Sequence, residues 1–303
     1  MRSDCQPGVI SHADNSGKNY LYKLIMKKFI TSIAVLACSV QAQEIIKYEY
    51  TDADGKRDTV EAVVRTPKTD ANKRAVVILH HAGGWGSGTT AQYADLLSSN
   101  GFVTIEPRLF NTRPKHTSEY VGQVFGALNY LSTLATVDPA QISVMGLSYG
   151  ANLTVIAATE WSNKKFTDGA KRFKSYAAFY PVCWAHAATI KRTAPRSRAS
   201  KFPDDVEDKW VGSPMKIFAG SDDDYEGRDP KSCTEFIEAI PDVKQRSVSS
   251  VNLYQGATHG WDQVSQSFME PVACKGKGCV NNNVHNPEVT ARAKEDLLKF
   301  LKD

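Results

Sequence analysis

Residues 142–150 read Ile-Ser-Val-Met-Gly-Leu-Ser-Tyr-Gly, a short apolar run that ends in the pattern Gly-x-Ser-x-Gly. Ile142–Met145 has the length and apolar character of a buried strand, and a helical pattern begins at Ala151, predicting a helix to Trp161. A serine held between strand and helix must sit on a sharp turn that lifts its side chain above the edge of the sheet. The glycines two residues to either side leave room where a side chain would collide. The helix behind the serine presents backbone N–H groups and the positive end of its dipole to nearby negative charge. Ser148 is therefore the candidate nucleophile.

To either side of this turn, short β-branched runs alternate with longer amphipathic ones. Ala75–Leu79 (AVVIL) is apolar throughout, as expected of a parallel strand covered on both faces. Phe102–Ile105, Tyr176–Phe179, Lys216–Ala219 and Ser250–Tyr254 are the further strand candidates. Ala91–Ser99, Glu119–Leu134, Ser232–Ala239 and Pro287–Leu301 carry helical spacing. Strand and helix in steady alternation predict an α/β chain built on a doubly wound, mainly parallel sheet. Ile45–Thr66 has Asp54-Gly55 between two runs of alternating character, which predicts a β-hairpin at an antiparallel edge. Residues 187–213, rich in Arg, Lys, Ser and Pro, lack clear periodicity and read as an insertion between strands.

The chain of 303 residues carries a formal net charge of only +4, with its basic residues scattered apart from a short stretch near Lys191–Lys201. Nothing in that pattern asks for nucleic acid or an acidic partner, and no feature points to an oligomeric state. Met26–Ala42 (MKKFITSIAVLACSVQA) places two lysines before an apolar run, then small residues at Val40 and Ala42. This predicts a signal peptide cleaved after Ala42, export to the periplasm or beyond, and no stable membrane association afterwards. Leu36-Ala37-Cys38 keeps a lipidated leader as the alternative. Residues 1–25 show no hydrophobic pattern and read as a start-site artefact or an extension without structure. One catalytic domain is expected over 43–303.

Export would leave Cys183, Cys233, Cys274 and Cys279 in an oxidising compartment, where an even number argues for disulfides. Cys274 and Cys279 could close a small glycine-rich loop, leaving Cys183 for Cys233, although spacing alone does not fix the pairing. A zinc site is the competing idea, but it lacks the usual close pair of cysteines.

A serine hydroxyl is a poor nucleophile near neutral pH and needs a base held by a third group. With Gly-x-Ser-x-Gly on such a turn, the acid and then the histidine follow along the chain. Strand Lys216–Ala219 ends in Gly220-Ser-Asp222-Asp223-Asp224-Tyr225, placing three carboxylates at the same rim as Ser148. Asp223 is the choice, with Asp222 and Asp224 as alternatives. His259, in Gly256-Ala-Thr-His-Gly-Trp261 directly after strand Ser250–Tyr254, is the expected base; His285 reads as a surface-loop residue. Backbone donors for an oxyanion are expected from Tyr149 and from Ala82, in the small-residue loop His80-His81-Ala-Gly-Gly-Trp85. The paired histidines suit a metal poorly, since adjacent residues on an extended segment point to opposite sides. Trp184, Trp210, Tyr225 and Trp261 fall near rim loops, where they either line a pocket or pack the core.

The segments HHAGGW, GLSYG, AGSDDDY and YQGATHGWD, in this order, resemble the dienelactone hydrolase family between Ala75 and Asp262. Phe179-Tyr-Pro-Val-Cys183 and the Cys233 segment are similar to a subset of its members. The resemblance implies an α/β-hydrolase fold with an eight-stranded sheet, no cofactor, and cleavage of small esters or lactones. It also favours Asp223, because the matching turn reads Asp-Asp followed by an aromatic. Two departures stand out. Position 148 is serine where the best-known members have cysteine, and His81 stands where they have glutamate. A serine hydrolase acting on small-molecule esters or lactones through an acyl-enzyme is therefore expected. A peptidase or acyltransferase with the same three residues, or a non-catalytic exported binding protein, are the alternatives.

Overall fold

The computed structural model describes residues 42–67, 71–111, 117–194 and 201–303. The extension 1–25 and, but for Ala42, the expected leader 26–42 lie outside the described residues.

β1 (Ala42–Thr51) and β2 (Arg57–Thr66) form the expected antiparallel hairpin. Its turn is made by Asp52, whose Oδ1 accepts the N–H groups of Asp54 and Lys56 at 2.9 and 2.8 Å. Gly55 follows in the left-handed region at φ 84°, where a side chain would be strained. Six strands then run parallel: β3 (Ala75–Leu79), β4 (Val103–Pro107), β5 (Ile142–Leu147), β6 (Tyr176–Phe179), β7 (Met215–Gly220) and β8 (Ser249–Tyr254). The sheet order is β1-β2-β4-β3-β5-β6-β7-β8. The eight-stranded, mainly parallel α/β-hydrolase sheet is thus present.

Alternate residues of the central strands feed two cores. Ala75, Val77 and Leu79 of β3 pack with Phe125 of α2 (Thr117–Leu131) and Leu153 of α3 (Tyr149–Ala157). Val76 and Ile78 pack on the other face with Tyr93 and Leu97 of α1 (Ala91–Ser99) and Leu297 of α9 (Pro287–Lys302). β3 lies between β4 and β5, so the winding direction reverses there. In open α/β sheets a ligand crevice lies beyond the carboxyl ends of the strands at such a reversal. The His80–Trp85 loop and Ser148 both leave the sheet at that place.

Three expectations need correction. The helix predicted over Ala151–Trp161 is two helices, α3 and α4 (Glu160–Thr167). Thr159 is extended between them, accepts the Ser162 N–H on its hydroxyl and bridges to Trp210, so local capping overrides the apolar pattern. The 187–213 stretch is not a featureless insertion: its first residues belong to α5 (Cys183–Ile190), and Val206 and Trp210 are core residues. A two-stranded sheet, β9 (Gln266–Glu270) with β10 (Cys279–Asn283), was not foreseen, because its short strands, β10 ending in three asparagines, carry no sustained apolar alternation. The short α6 (Ser232–Ala239), α7 (Val243–Ser247) and the distorted turn α8 (Ala273–Gly276) are the remaining α elements among the described residues. Both disulfides take the pairing that the spacing allowed, Cys183–Cys233 and Cys274–Cys279. Among the described residues, no helix is long and apolar enough to cross a membrane.

Candidate active site

Ser148 sits between β5 and α3 at φ 49° and ψ −108°, a conformation that a side chain adopts only under strain. Packing holds it there. A Cβ on Gly146 would fall 2.1 Å from the carbonyl oxygen of Gly150, and one on Gly150 would fall 2.5 Å from that of Leu79. Both glycines are therefore required for the turn to close on β3. The Ser148 N–H donates to Phe179 O at 2.9 Å, which ties the turn to β6 as well.

The structure brings Ser148, His259 and Asp223 into one hydrogen-bonded line. His259 Nε2 lies 2.8 Å from Ser148 Oγ, and His259 Nδ1 lies 2.8 Å from Asp223 Oδ2. An ionised carboxylate only accepts, so Nδ1 carries the imidazole proton and Nε2 presents a lone pair to the serine hydroxyl. The other Asp223 oxygen, Oδ1, accepts the Tyr225 N–H at 2.8 Å. Both Asp223 and His259 are buried. The His259 ring is fixed by Tyr225, 4.1 Å away centroid to centroid, and by the edge of Tyr180 at 5.0 Å.

The other two aspartates separate cleanly. Asp222 is exposed and, among the described residues, accepts only the Ser221 hydroxyl. Asp224 accepts from Arg228 Nε and from the backbone and side-chain N–H of Asn282, tying the turn to β10. Burial alone would raise its pKa, but these hydrogen bonds bring it below the ordinary value. His285 is exposed, away from this line.

The two amides expected to face an oxyanion lie on adjacent segments. Tyr149 is the first residue of α3, so its N–H has no acceptor within the helix. In the loop after β3, Gly83 N–H donates to His81 Nδ1 and Gly84 N–H to His81 O, whereas the Ala82 N–H is unused among the described residues. His81 thus shapes this loop. Because Nδ1 accepts from Gly83, Nε2 carries the proton and donates to Thr89 Oγ1 at 3.2 Å. Burial, with the neighbouring His80 and His259, lowers the His81 pKa to about 4 from 6.5. Between those pH values the unfolded chain binds the extra proton, so this contribution to stability is complete above pH 6.5 and is lost as pH falls toward 4. Asparagine offers an oxygen near the position of Nδ1 and does not titrate. The drop in melting temperature between pH 7 and pH 4 is therefore expected to be smaller in His81→Asn than in the wild type; equal drops would refute this role.

Beside the turn lies a groove of about 510 Å³, lined mainly by apolar groups that include Tyr149, Leu153, Val182, Trp184 and Phe202. Of the four rim aromatics, Trp184 faces this groove and Tyr225 stacks on His259, while Trp210 and Trp261 are core residues. Sequence reading missed several polar residues around the site. Glu226 accepts the N–H groups of Cys183 and Trp184 at 2.6 and 3.0 Å, which starts α5. Burial and the Asp223 charge push its pKa up to about 8. Asp262 accepts the hydroxyls of Tyr93 and Tyr180, and so supports the ring against His259. His186 pairs with buried Glu207 and reaches Asn152. Asn152 had a visible signal: it is the polar residue one turn after Ser148 in an otherwise apolar stretch. Cys183, Glu226 and Cys233 converge in space, but the two sulfurs are bonded to each other and offer no thiolates to a metal.

This sheet and this turn are those of the α/β-hydrolase fold. The family model described as BD-FAE matches residues 64–216, half of the chain, and the chain belongs to that family. A relative, the uncharacterized protein YcjY of Escherichia coli (strain K12), is 30% identical over 129 residues, covering 38% of this chain and 41% of that protein. The match therefore spans less than half the length of the relative. Among solved structures, a chain described as a dienelactone hydrolase from Klebsiella pneumoniae superposes with a TM-score of 0.56 at 14% identity, covering 86% of this chain and 99% of that one. Thermogutta terrifontis esterase 2, phosphoramylated by tabun, gives 0.59 at 15% identity over 86% and 93%. Est1E from Butyrivibrio proteoclasticus gives 0.53 at 15% identity over 84% and 100%. At these identities the likeness is one of fold.

Proposed function

We propose that the protein is a serine esterase that cleaves small carboxylic esters or lactones through an acyl-enzyme. The observation that carries this reading is the Ser148–His259–Asp223 line, with 2.8 Å at both links and the serine held in a strained turn. His259 Nε2 takes the hydroxyl proton as Ser148 Oγ attacks the carbonyl carbon. The carbonyl oxygen becomes an oxyanion facing the Tyr149 and Ala82 amides. The C–O bond to the alcohol then breaks, and His259 returns the proton to the departing alkoxide. A water molecule, deprotonated by the same nitrogen, attacks the acyl-enzyme; the bond from the acyl carbon to Ser148 Oγ breaks, His259 returns the proton to that oxygen, and the acid departs. With a lactone, the alcohol and the acid are two ends of one product. The two disulfides support the further proposal that the protein works in an oxidising, exported setting.

A fluorophosphonate probe and p-nitrophenyl acetate and butyrate test the reading together. Covalent labelling of Ser148 with turnover of either ester is the expected result. A folded protein that neither takes the label nor releases p-nitrophenol would overturn it in favour of a binding role for the fold.

A further inference from the structure

Asn152 projects from α3 one turn after the serine; its N–H donates to Ser148 O at 3.0 Å. Asn152 lies on the wall of the groove together with Tyr149, the residue that follows the nucleophile. Its orientation follows from its partners. The Val182 N–H meets Oδ1 at 3.0 Å, and a backbone N–H only donates, so that atom is the oxygen. His186 Nε2 lies 3.1 Å from the same oxygen, and His186 is held from behind by buried Glu207. With its oxygen held by the Val182 N–H at the start of α5, the amide turns its NH₂ group the other way. Among the described residues that Nδ2 has no acceptor, and Asn152 is only half-buried.

The result is a fixed donor in a mainly apolar groove. We infer that Asn152 is a specificity-determining residue. Its Nδ2 donates to an oxygen on the group that fills the groove, so the substrates are esters whose apolar moiety carries a hydrogen-bond-accepting oxygen. This rests on the esterase reading and narrows its substrate class. A polar site that is paired only when substrate supplies an acceptor discriminates far better than an apolar wall, because the analogue without oxygen leaves the donor unpaired.

The test compares ester pairs that differ by oxygen for methylene. On the acyl side these are p-nitrophenyl hexanoate and p-nitrophenyl 4-methoxybutanoate; on the alcohol side, hexyl acetate and 4-methoxybutyl acetate, followed by acid release. Asn152→Asp keeps an oxygen for the Val182 N–H and removes the donor. Asn152→Leu removes the donor without introducing charge and serves as the second variant. Wild-type kcat/KM should favour the oxygen-bearing member of at least one pair, and that ratio should fall about tenfold or more in each folded variant. Intrinsic reactivity differences between the esters cancel when the ratios are compared. If the wild type hydrolyses the plain esters in a Ser148-dependent way and both ratios are unchanged in the variants, the inference fails alone. If no ester is hydrolysed at all, the esterase reading fails and takes the inference with it.

Discussion

Ser148→Ala and His259→Ala are each expected to lower kcat on p-nitrophenyl butyrate by about a millionfold, and the double variant is expected to be no worse than either. The reason lies in the shared proton. Ser148 Oγ attacks only as its hydrogen moves to His259 Nε2, so removing either end of that 2.8 Å bond removes the same step. What survives comes from positioning and from the Tyr149 and Ala82 amides, and so is common to all three variants. The fold should be indifferent. The turn is held by the packing of Gly146 on Gly150 and of Gly150 on Leu79 and by the Ser148 N–H bond to Phe179 O, none of which involves the serine hydroxyl. Matching near-ultraviolet circular dichroism would establish that. Two single losses that multiply in the double variant would show independent roles and refute a common proton path.

What the sequence disclosed about this site follows from how local each constraint is. The turn at Ser148 is made by Gly146 and Gly150, whose missing side chains are the whole mechanism, so five letters suffice to read it. The hairpin at Asp52–Lys56 was legible for the same reason. The choice among three aspartates was not local. Asp224 is set apart by Asn282, 58 positions away, and Asp223 by His259, 36 away. Only the sheet brings those partners together. The α3–α4 break hinges on a threonine capping its own chain and meeting Trp210, where apolar spacing alone predicts continuity. Strand β10 is held by Asp224 and by the Cys274–Cys279 bridge rather than by apolar burial, which is why periodicity overlooked it. His81 looked like a departure from the dienelactone hydrolase pattern. In the structure it has its own work, accepting the Gly83 amide and ordering the loop that carries Ala82.

Asp223→Asn is expected to lower kcat by about 10⁴-fold with little change in stability, a loss set by tautomer rather than by distance. The Tyr225 N–H points at Oδ1 and can be met only by the amide oxygen of the new asparagine. Its NH₂ group must then face His259 Nδ1. A donor opposite Nδ1 favours the imidazole that keeps its proton on Nε2, and that nitrogen can no longer take the proton of Ser148. The neighbouring substitutions should behave otherwise. Asp222→Asn should leave kcat within a few-fold, because that side chain is exposed and its one hydrogen bond among the described residues is from the Ser221 hydroxyl. Asp224→Asn should lower the melting temperature, since one of its oxygens accepts two donors from Asn282 and the other accepts Arg228, yet it should leave kcat within about tenfold. Steady-state kinetics with thermal melts on the three variants decides the matter. If Asp224→Asn were the change that abolished turnover while Asp223→Asn were mild, the proton held by His259 would be controlled from the wrong side of this turn, and the assignment of Asp223 would fall.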